Sequence, residues 1–290
     1  MPLPSLFLPR AARALLLAAC ALAGAADAAD VVHVEPSRFA PIWVTEDHGE
    51  RCIAFGQENT GAHQTCMDLG RPQAMVFNYT RMMMGSLYLQ PQPGRILIVG
   101  LGGGTLPTAL AAVLPEAEID TVEIDPAMVR VAERWFGFRQ GPRQRVHVAD
   151  GRRYVEDAAR EGRRYDLVML DAYDTDYIPH HLMTREFLRQ VQAILRPGGV
   201  LAANTFTGSE MYDRESVTYA EVFGDFFNLR ANNRVILAVN GGPLPDEAAL
   251  RRNAQALAPR LEPYAIDVER ELARFSRDRD WRRDAAVLAD

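Results

Sequence analysis

The chain has 290 residues, of which 48% are hydrophobic, so it carries enough apolar side chains to bury a large core. Its formal net charge of −6 gives no basic field for a polyanion, which excludes nucleic acid as an expected partner. All 32 basic residues are arginine, which excludes a lysine Schiff base or a lysine general base.

Residues 1–28 have the pattern of a secretory signal peptide. Arg10 and Arg13 precede an apolar run, and small residues lead to an expected cleavage site near Ala28. The run is too short to anchor the chain, so we expect no stable membrane insertion after cleavage. The pattern predicts an exported, periplasmic protein. A lipoprotein modified at Cys20 and a cytoplasmic protein with a misplaced start codon are the alternatives.

Residues 29–72 alternate polar and apolar side chains, which predicts a small N-terminal β-hairpin domain. A turn signal around Asn59 and Thr60 separates two candidate strands that contain Cys52 and Cys66. A hairpin folded at this turn brings the two cysteines nearly opposite each other, and an oxidising compartment then favours a disulfide. Two buried free thiols are the alternative if the chain is not exported.

Residues 73–243 contain a helical segment followed by short apolar runs that alternate with amphipathic segments. This alternation predicts an α/β domain with a mostly parallel sheet covered by helices on both faces. Ligands of such sheets bind beyond the carboxyl ends of the strands. Residues 244–290 are charged and rich in Ala and Arg, which predicts a solvated C-terminal helical segment. The predicted core strands are 95–99, 119–124, 146–149, 165–170, 200–204 and 235–239.

A glycine-rich loop, GLGGGT, follows the first core strand and opens into a helix. Glycines at Gly100, Gly102 and Gly104 let the backbone turn sharply and approach a nucleotide closely. A dinucleotide loop would have a further glycine where Thr105 stands. The spacing instead suits an adenosyl sulfonium ligand, which has no pyrophosphate to bind.

Acidic residues end the next two strands. Glu123 lies about twenty residues past the glycine loop, where a carboxylate can bind both ribose hydroxyls. Asp150 ends the third strand and can accept a hydrogen bond from the adenine amino group, while Gly151 leaves room for the ring. Together with the loop, these residues predict an adenosyl-binding site.

The fourth strand is followed by Asp171 and, three residues later, Asp174. Two acids at this edge can bind an ammonium group and accept its proton, so that the free amine attacks an electrophilic carbon. A small cationic amine is therefore the expected substrate. His180 and His181 lie nearby, but adjacent residues rarely point at one ion, so we expect no metal.

The order and spacing of GLGGGT, VEID, ADGRRYV, YDLVMLDAYD and LRPGGVLAAN resemble the spermidine synthase family of polyamine aminopropyltransferases. The resemblance covers roughly residues 40–240 and implies a Rossmann-like class I methyltransferase fold and a possible homodimer. It implies aminopropyl transfer from decarboxylated S-adenosylmethionine to putrescine or a related amine. In that case Asp171 is the base, Asp174 binds the substrate ammonium, and Gln64 and Tyr79 line the polyamine channel.

Two departures from the family pattern bear on the reaction. Thr105 stands where spermidine synthases have an Asp that pairs with the amine of the donor, which leaves room for S-adenosylmethionine itself and for a methyltransferase. Thr80 and Arg81 replace His and Glu of the family's tyrosine motif, which predicts a basic contact in place of an acidic one. A third possibility is a non-catalytic exported protein that binds polyamines or nucleosides, because sulfonium donors are made in the cytosol.

Overall fold

The computed structural model describes residues 29–56, 63–173 and 177–290. The predicted signal peptide, the turn at Asn59 and Thr60, and Asp174 all lie outside these ranges. Export and the domain boundaries therefore stay predictions. Among the described helices, none combines the length and apolar character needed to span a bilayer.

The N-terminal part forms a four-stranded antiparallel sheet with the strands in chain order. Cys52 lies directly opposite Cys66 on the last two strands, and their Sγ atoms are bonded at 2.01 Å. His63 lies close to this pair, but sulfurs that are bonded to each other offer no thiolate to a metal ion. The strands are β1 (Asp30–Glu35), β2 (Ile42–Asp47), β3 (Glu50–Phe55) and β4 (His63–Asp68).

The second sheet has seven strands in the order β10-β11-β9-β8-β5-β6-β7. The strands β5 to β9 pair in parallel, while β11 pairs antiparallel with both β9 and β10. The predicted mostly parallel sheet is confirmed. The strands are β5 (Arg95–Val99), β6 (Glu118–Glu123), β7 (Gln144–Val148), β8 (Tyr165–Leu170), β9 (Leu195–Phe206), β10 (Phe226–Arg230) and β11 (Asn233–Val239).

Helices cover both faces of this sheet, as the continuous apolar strands require. Alternate residues of β5 show the two cores: Ile96 and Ile98 pack on one face, Leu97 and Val99 on the other. The helices are α1 (Asn78–Met84), α2 (Ser86–Leu89), α3 (Thr105–Val113), α4 (Pro126–Trp135), α5 (Gly151–Arg160), α6 (Arg185–Ile194), α7 (Tyr212–Phe223), α8 (Glu247–Leu261) and α9 (Val268–Leu272).

Helix α4 connects the N-terminal sheet to the larger domain. Helix α4 packs Met128 and Val131 against Ile42, Val44 and Ile53 of the N-terminal sheet, so the small sheet sits on the larger domain.

The C-terminal segment is not a solvated appendage. One face of α8 buries apolar side chains in the main core because they recur every three or four residues between the arginines.

Candidate active site

A cavity of about 540 Å³ opens at the carboxyl ends of the parallel strands. The neighbours β5 and β8 are joined by no direct connection, since the chain first runs outward through β6 and β7. This topological switch point leaves a crevice between the strand ends, which is where α/β sheets bind ligands. The sequence-predicted residues that line the cavity are Gln64, Tyr79, Gly100, Gly102, Thr105, Glu123, Asp150, Gly151 and Asp171.

Two glycines shape the loop after β5. Gly100 has φ +104°, and a Cβ there would lie 2.1 Å from the carbonyl oxygen of Asp171, so no side chain fits between the two loops. Gly104 has φ +79° and would place a Cβ 2.7 Å from the ring of Phe138. Gly104 does not line the cavity. It shapes the turn into α3 from behind the cavity wall.

Glu123 links the ends of β5 and β6. Its carboxylate accepts hydrogen bonds from the backbone N–H of Leu101 at 3.0 Å and of Asp125 at 2.9 Å. Burial raises the pKa of Glu123, and the backbone hydrogen bonds act in the opposite direction. The side chain is therefore held in one orientation beside the glycine loop, and its remaining lone pairs can accept hydrogen bonds from a pair of ribose hydroxyls.

Asp150 has both carboxylate oxygens engaged. It caps α5 by accepting from the backbone N–H of Arg153 at 2.9 Å, and its other oxygen lies 2.9 Å from Nε2 of His181. Burial alone would raise its pKa, but these hydrogen bonds lower it below the ordinary value. Asp150 is therefore an ionised acceptor on the cavity wall, and His181 is a cavity neighbour that the sequence reasoning treated only as a rejected metal ligand.

Asp171 is the most strongly perturbed carboxyl group of the cavity. Burial raises its pKa to about 7, while hydrogen bonds from Asn204 and Tyr79 act in the opposite direction. Its Oδ1 accepts from Nδ2 of Asn204 at 2.9 Å. A carboxyl group that titrates near neutral pH at the wall of a cavity suits a general base.

Aromatic side chains surround Asp171. The Tyr79 and Tyr173 rings line the cavity, and Tyr173 packs edge-to-face on Phe206 with ring centroids 5.3 Å apart. The Tyr173 hydroxyl is buried and has no hydrogen-bond partner in the described part of the chain. A buried hydroxyl without a partner costs free energy unless a ligand satisfies it, so this wall is suited to receive a polar group.

A β-bulge turns Gln64 toward the cavity. Ile53 pairs with Thr65 and Ala54 pairs with His63, which leaves Gln64 as an extra residue in β4. Consecutive strand residues normally point to opposite faces, but the bulge lets both Gln64 and Thr65 line the cavity. Thr65 also accepts from the backbone N–H of Gly103 at 3.4 Å, so the N-terminal sheet contacts the glycine loop directly.

The expectation that Arg81 introduces a basic contact is wrong. Its guanidinium turns away from the cavity, donates to the backbone carbonyl of Met75 and to Asn78, and lies 4.0 Å from the buried carboxylate of Glu271. The neighbour Thr80 does line the cavity. Because a buried guanidinium is costly without an acidic partner, Arg81 pairs with Glu271 of α9.

The cavity wall is acidic. Asp125 joins the three carboxylates already described, and it caps α4 while accepting from Ser37 at 2.6 Å. No arginine is among the described residues that line the cavity, and the only other titratable nitrogen groups there belong to His180 and His181. Such a wall attracts cations and disfavours a ligand with an additional carboxylate.

Sequence reasoning missed Asn204 and Thr65. Asn204 directly follows the apolar run of β9, so the strand-end pattern that identified Asp171 could have identified it too. Thr65 had no such pattern, because its place at the cavity depends on the pairing of β3 with β4 and on the contact of that sheet with the glycine loop.

Comparisons with known proteins place the chain in a family. A spermine/spermidine synthase domain matches residues 76–237. A polyamine aminopropyltransferase of Vibrio vulnificus is 42% identical over 266 residues, which are 90% of this chain and 88% of that protein. The crystal structure of human methyltransferase-like protein 13 in complex with SAH has a TM-score of 0.59 and 31% identity, over 64% of this chain and 93% of that one. A probable spermidine synthase from Corynebacterium glutamicum shares the fold, with a TM-score of 0.67 and 19% identity over 90% of this chain and 96% of its own. The chain belongs to the spermine/spermidine synthase family.

Proposed function

We propose that the protein is a polyamine aminopropyltransferase that uses decarboxylated S-adenosylmethionine as donor and putrescine or a related amine as acceptor. The observation that carries the proposal is the acidic cavity at the strand ends, with Asp171 at its wall and no arginine among its described lining residues. The similarity to the Vibrio vulnificus enzyme over nearly the whole chain supports the same reaction.

The donor fits the residues around the glycine loop. Glu123 would bind the ribose hydroxyls, and Asp150 would accept from the adenine amino group beside Gly151. A Cβ at Gly151 would lie 2.5 Å from Val99, so this glycine keeps the end of β5 close to the start of α5. The donor itself supplies the electrophilic carbon, activated by the adjacent sulfonium.

The acceptor chemistry centres on Asp171. An amine must lose a proton before its nitrogen can attack, and the ionised Asp171 carboxylate would take that proton. The new C–N bond forms as the C–S bond breaks, and the electron pair of the C–S bond stays on sulfur in the departing thioether. Tyr79, Tyr173 and Gln64 would hold the rest of the acceptor by packing and hydrogen bonds. Asp174, three residues after the base, would bind the ammonium, although it lies outside the described residues.

The acidic wall favours the decarboxylated donor over S-adenosylmethionine. The decarboxylated donor carries an ammonium and a sulfonium but no carboxylate, so every charge on it is attracted to the wall. S-adenosylmethionine adds a carboxylate that would need a positively charged partner. Methyl transfer is the second candidate, because neutral Thr105 lines the cavity and methyltransferase-like protein 13 shares the fold at 31% identity.

Product mass separates the two activities. Purified protein would be incubated with putrescine and, in separate reactions, with each sulfonium donor, and the amine products analysed by mass spectrometry. We expect an aminopropyl group on the amine with the decarboxylated donor, and no product from Asp171→Asn. A methylated amine from S-adenosylmethionine, with no aminopropyl product, would overturn the proposal in favour of methyl transfer. Binding of spermidine without turnover of either donor would favour a non-catalytic binding protein.

Export to the periplasm, with removal of residues 1–28, is proposed from the sequence pattern alone. Fractionation of the native host, combined with N-terminal sequencing of the mature chain, tests it. A chain that starts at Met1 in the cytosolic fraction would contradict it.

A further inference from the structure

Two asparagines stand in line behind Asp171. Asn204 of β9 donates from Nδ2 to Asp171 Oδ1 at 2.9 Å, and Asn233 of β11 donates from Nδ2 to Asn204 Oδ1 at 3.2 Å. Asn204 is 2% exposed and does not line the cavity, so its contact with Asp171 comes from behind the cavity wall.

The second asparagine decides which end of the first faces Asp171. An amide group has an oxygen and an NH2 of nearly the same size, and only the NH2 can donate to a carboxylate. Because Asn233 donates to Asn204 Oδ1, the Asn204 oxygen must point toward β11 and its NH2 toward Asp171. In the antiparallel pairing of β11 with β9, Asn233 lies opposite Phe206, two residues along β9 from Asn204, so the two asparagines are diagonal neighbours on one face of the sheet.

We propose that Asn233 and Asn204 form an amide relay that positions Asp171 as the base: the relay binds Oδ1 from behind, which keeps the carboxylate in one rotamer at the cavity wall. Neither asparagine lines the cavity, so both are positioning residues. The catalytic consequence of the relay rests on the proposed function, whereas its effect on the titration of Asp171 does not.

The surroundings of Asp171 leave the relay as a main source of support for its ionised form. From α1, Tyr79 contributes a hydrogen bond, and from the loop after β5, Gly100 contributes only backbone. Burial opposes ionisation, and the hydrogen bonds from Asn204 and Tyr79 favour it. Among the described residues, the other titratable groups near it are Tyr173 on its own loop, Glu215 beyond Tyr173, and the cavity-lining Glu123, Asp150, His180 and His181.

The test measures the titration of Asp171 directly. Protein labelled with ¹³C at the Asp carboxyl groups would be titrated by NMR without ligand, with Asp171 assigned by the signal that is lost in Asp171→Asn. Asn204→Leu removes the donor at similar volume, and Asn233→Ala removes only the residue that orients it. Asn253→Leu is the matched control, because Asn253 donates to the backbone carbonyl of Tyr88, away from the cavity.

In Asn204→Leu we expect the Asp171 midpoint to rise by about one pH unit, since the ionised form loses a charge-assisted hydrogen bond. Asn233→Ala should shift it less, in the same direction, and Asn253→Leu not at all. The acid limb of kcat should move by the same amount, with about fivefold lower kcat near pH 7, little loss at high pH and unchanged KM for the donor.

An unchanged Asp171 midpoint in folded Asn204→Leu, or a loss of kcat by the same factor at every pH, would overturn the relay. If Asn204→Leu does not fold, Asn233→Ala decides by the same two criteria. A shifted midpoint in a protein that makes no aminopropyl product would support the relay and reject the proposed function. An aminopropyl product with an unshifted midpoint would support the proposed function and reject the relay.

Discussion

Replacing Thr105 with Asp should increase the preference of the cavity for the decarboxylated donor. Thr105 is the first residue of α3 and lines the cavity beside the glycine loop. The first turn of this helix contains no acid, and Gly104 caps it without a side-chain hydrogen bond. A carboxylate is favourable at a helix N-terminus, so the substitution should cost the fold little.

The size of the effect follows from the charges at this position. A hydrogen bond to a charged group contributes about 1.5–3 kcal/mol, so pairing the new carboxylate with the donor's ammonium should tighten binding by about tenfold to a hundredfold. S-adenosylmethionine would bring its own carboxylate toward the new one and should gain nothing. The ratio of the two dissociation constants should therefore change by at least about tenfold.

Isothermal titration calorimetry with both sulfonium ligands would measure this ratio in the wild type, in Thr105→Asp and in Thr105→Asn. The Asn variant is the control, because it has the shape of Asp without the charge. Charge at this position does not select the donor if a folded Thr105→Asp protein keeps the wild-type ratio. The same conclusion holds if Thr105→Asn changes the ratio as much as Thr105→Asp does.

The base, the disulfide and the glycine loop each allow a further test. The wild-type kcat should rise with pH through a midpoint near 7, because only ionised Asp171 can accept the proton. A pH-rate profile measures this, and a rate that is flat across neutral pH would contradict it. Replacing Cys52 and Cys66 with Ser should lower the unfolding free energy by about 3 kcal/mol, the effect expected for a bond across a sequence separation of 14; equal denaturation midpoints with and without the bond would count against it. Gly100→Ala should abolish ligand binding because its Cβ would meet the backbone of Asp171. The control is Gly162→Ala, which has φ +71° and open space around it and should bind normally with a modest loss of stability. Similar binding by both variants would show that the close approach at Gly100 is unimportant.

The parallel core could be predicted well from the sequence because its strands are buried on both faces. Two of them, 95–99 and 165–170, have the predicted bounds, since continuous apolar runs end where the chain reaches the ligand edge. The strand β10 and helix α7 were not predicted. Their apolar residues are interrupted by polar ones that bond within the fold, as Asn228 does with Arg234.

The site could be predicted where a residue acts at its own strand end, and could not where its direction depends on a distant partner. Glu123 ends a buried strand and Asp171 directly follows another, so their place in the cavity follows from the topology. The direction of Arg81 depends on Glu271, which lies far along the chain in α9. Asn233 starts a strand of the antiparallel pair, and nothing local to it indicates that it would orient Asn204.

The acidic wall has a consequence for the end of the catalytic cycle. Aminopropyl transfer turns a cationic sulfonium nucleoside into a neutral thioether, while the amine leaves the reaction with one more basic nitrogen than it had. The wall therefore loses its attraction for the nucleoside product and holds the elongated polyamine more firmly. Polyamine departure should then limit turnover, and added salt should speed it by screening those charges.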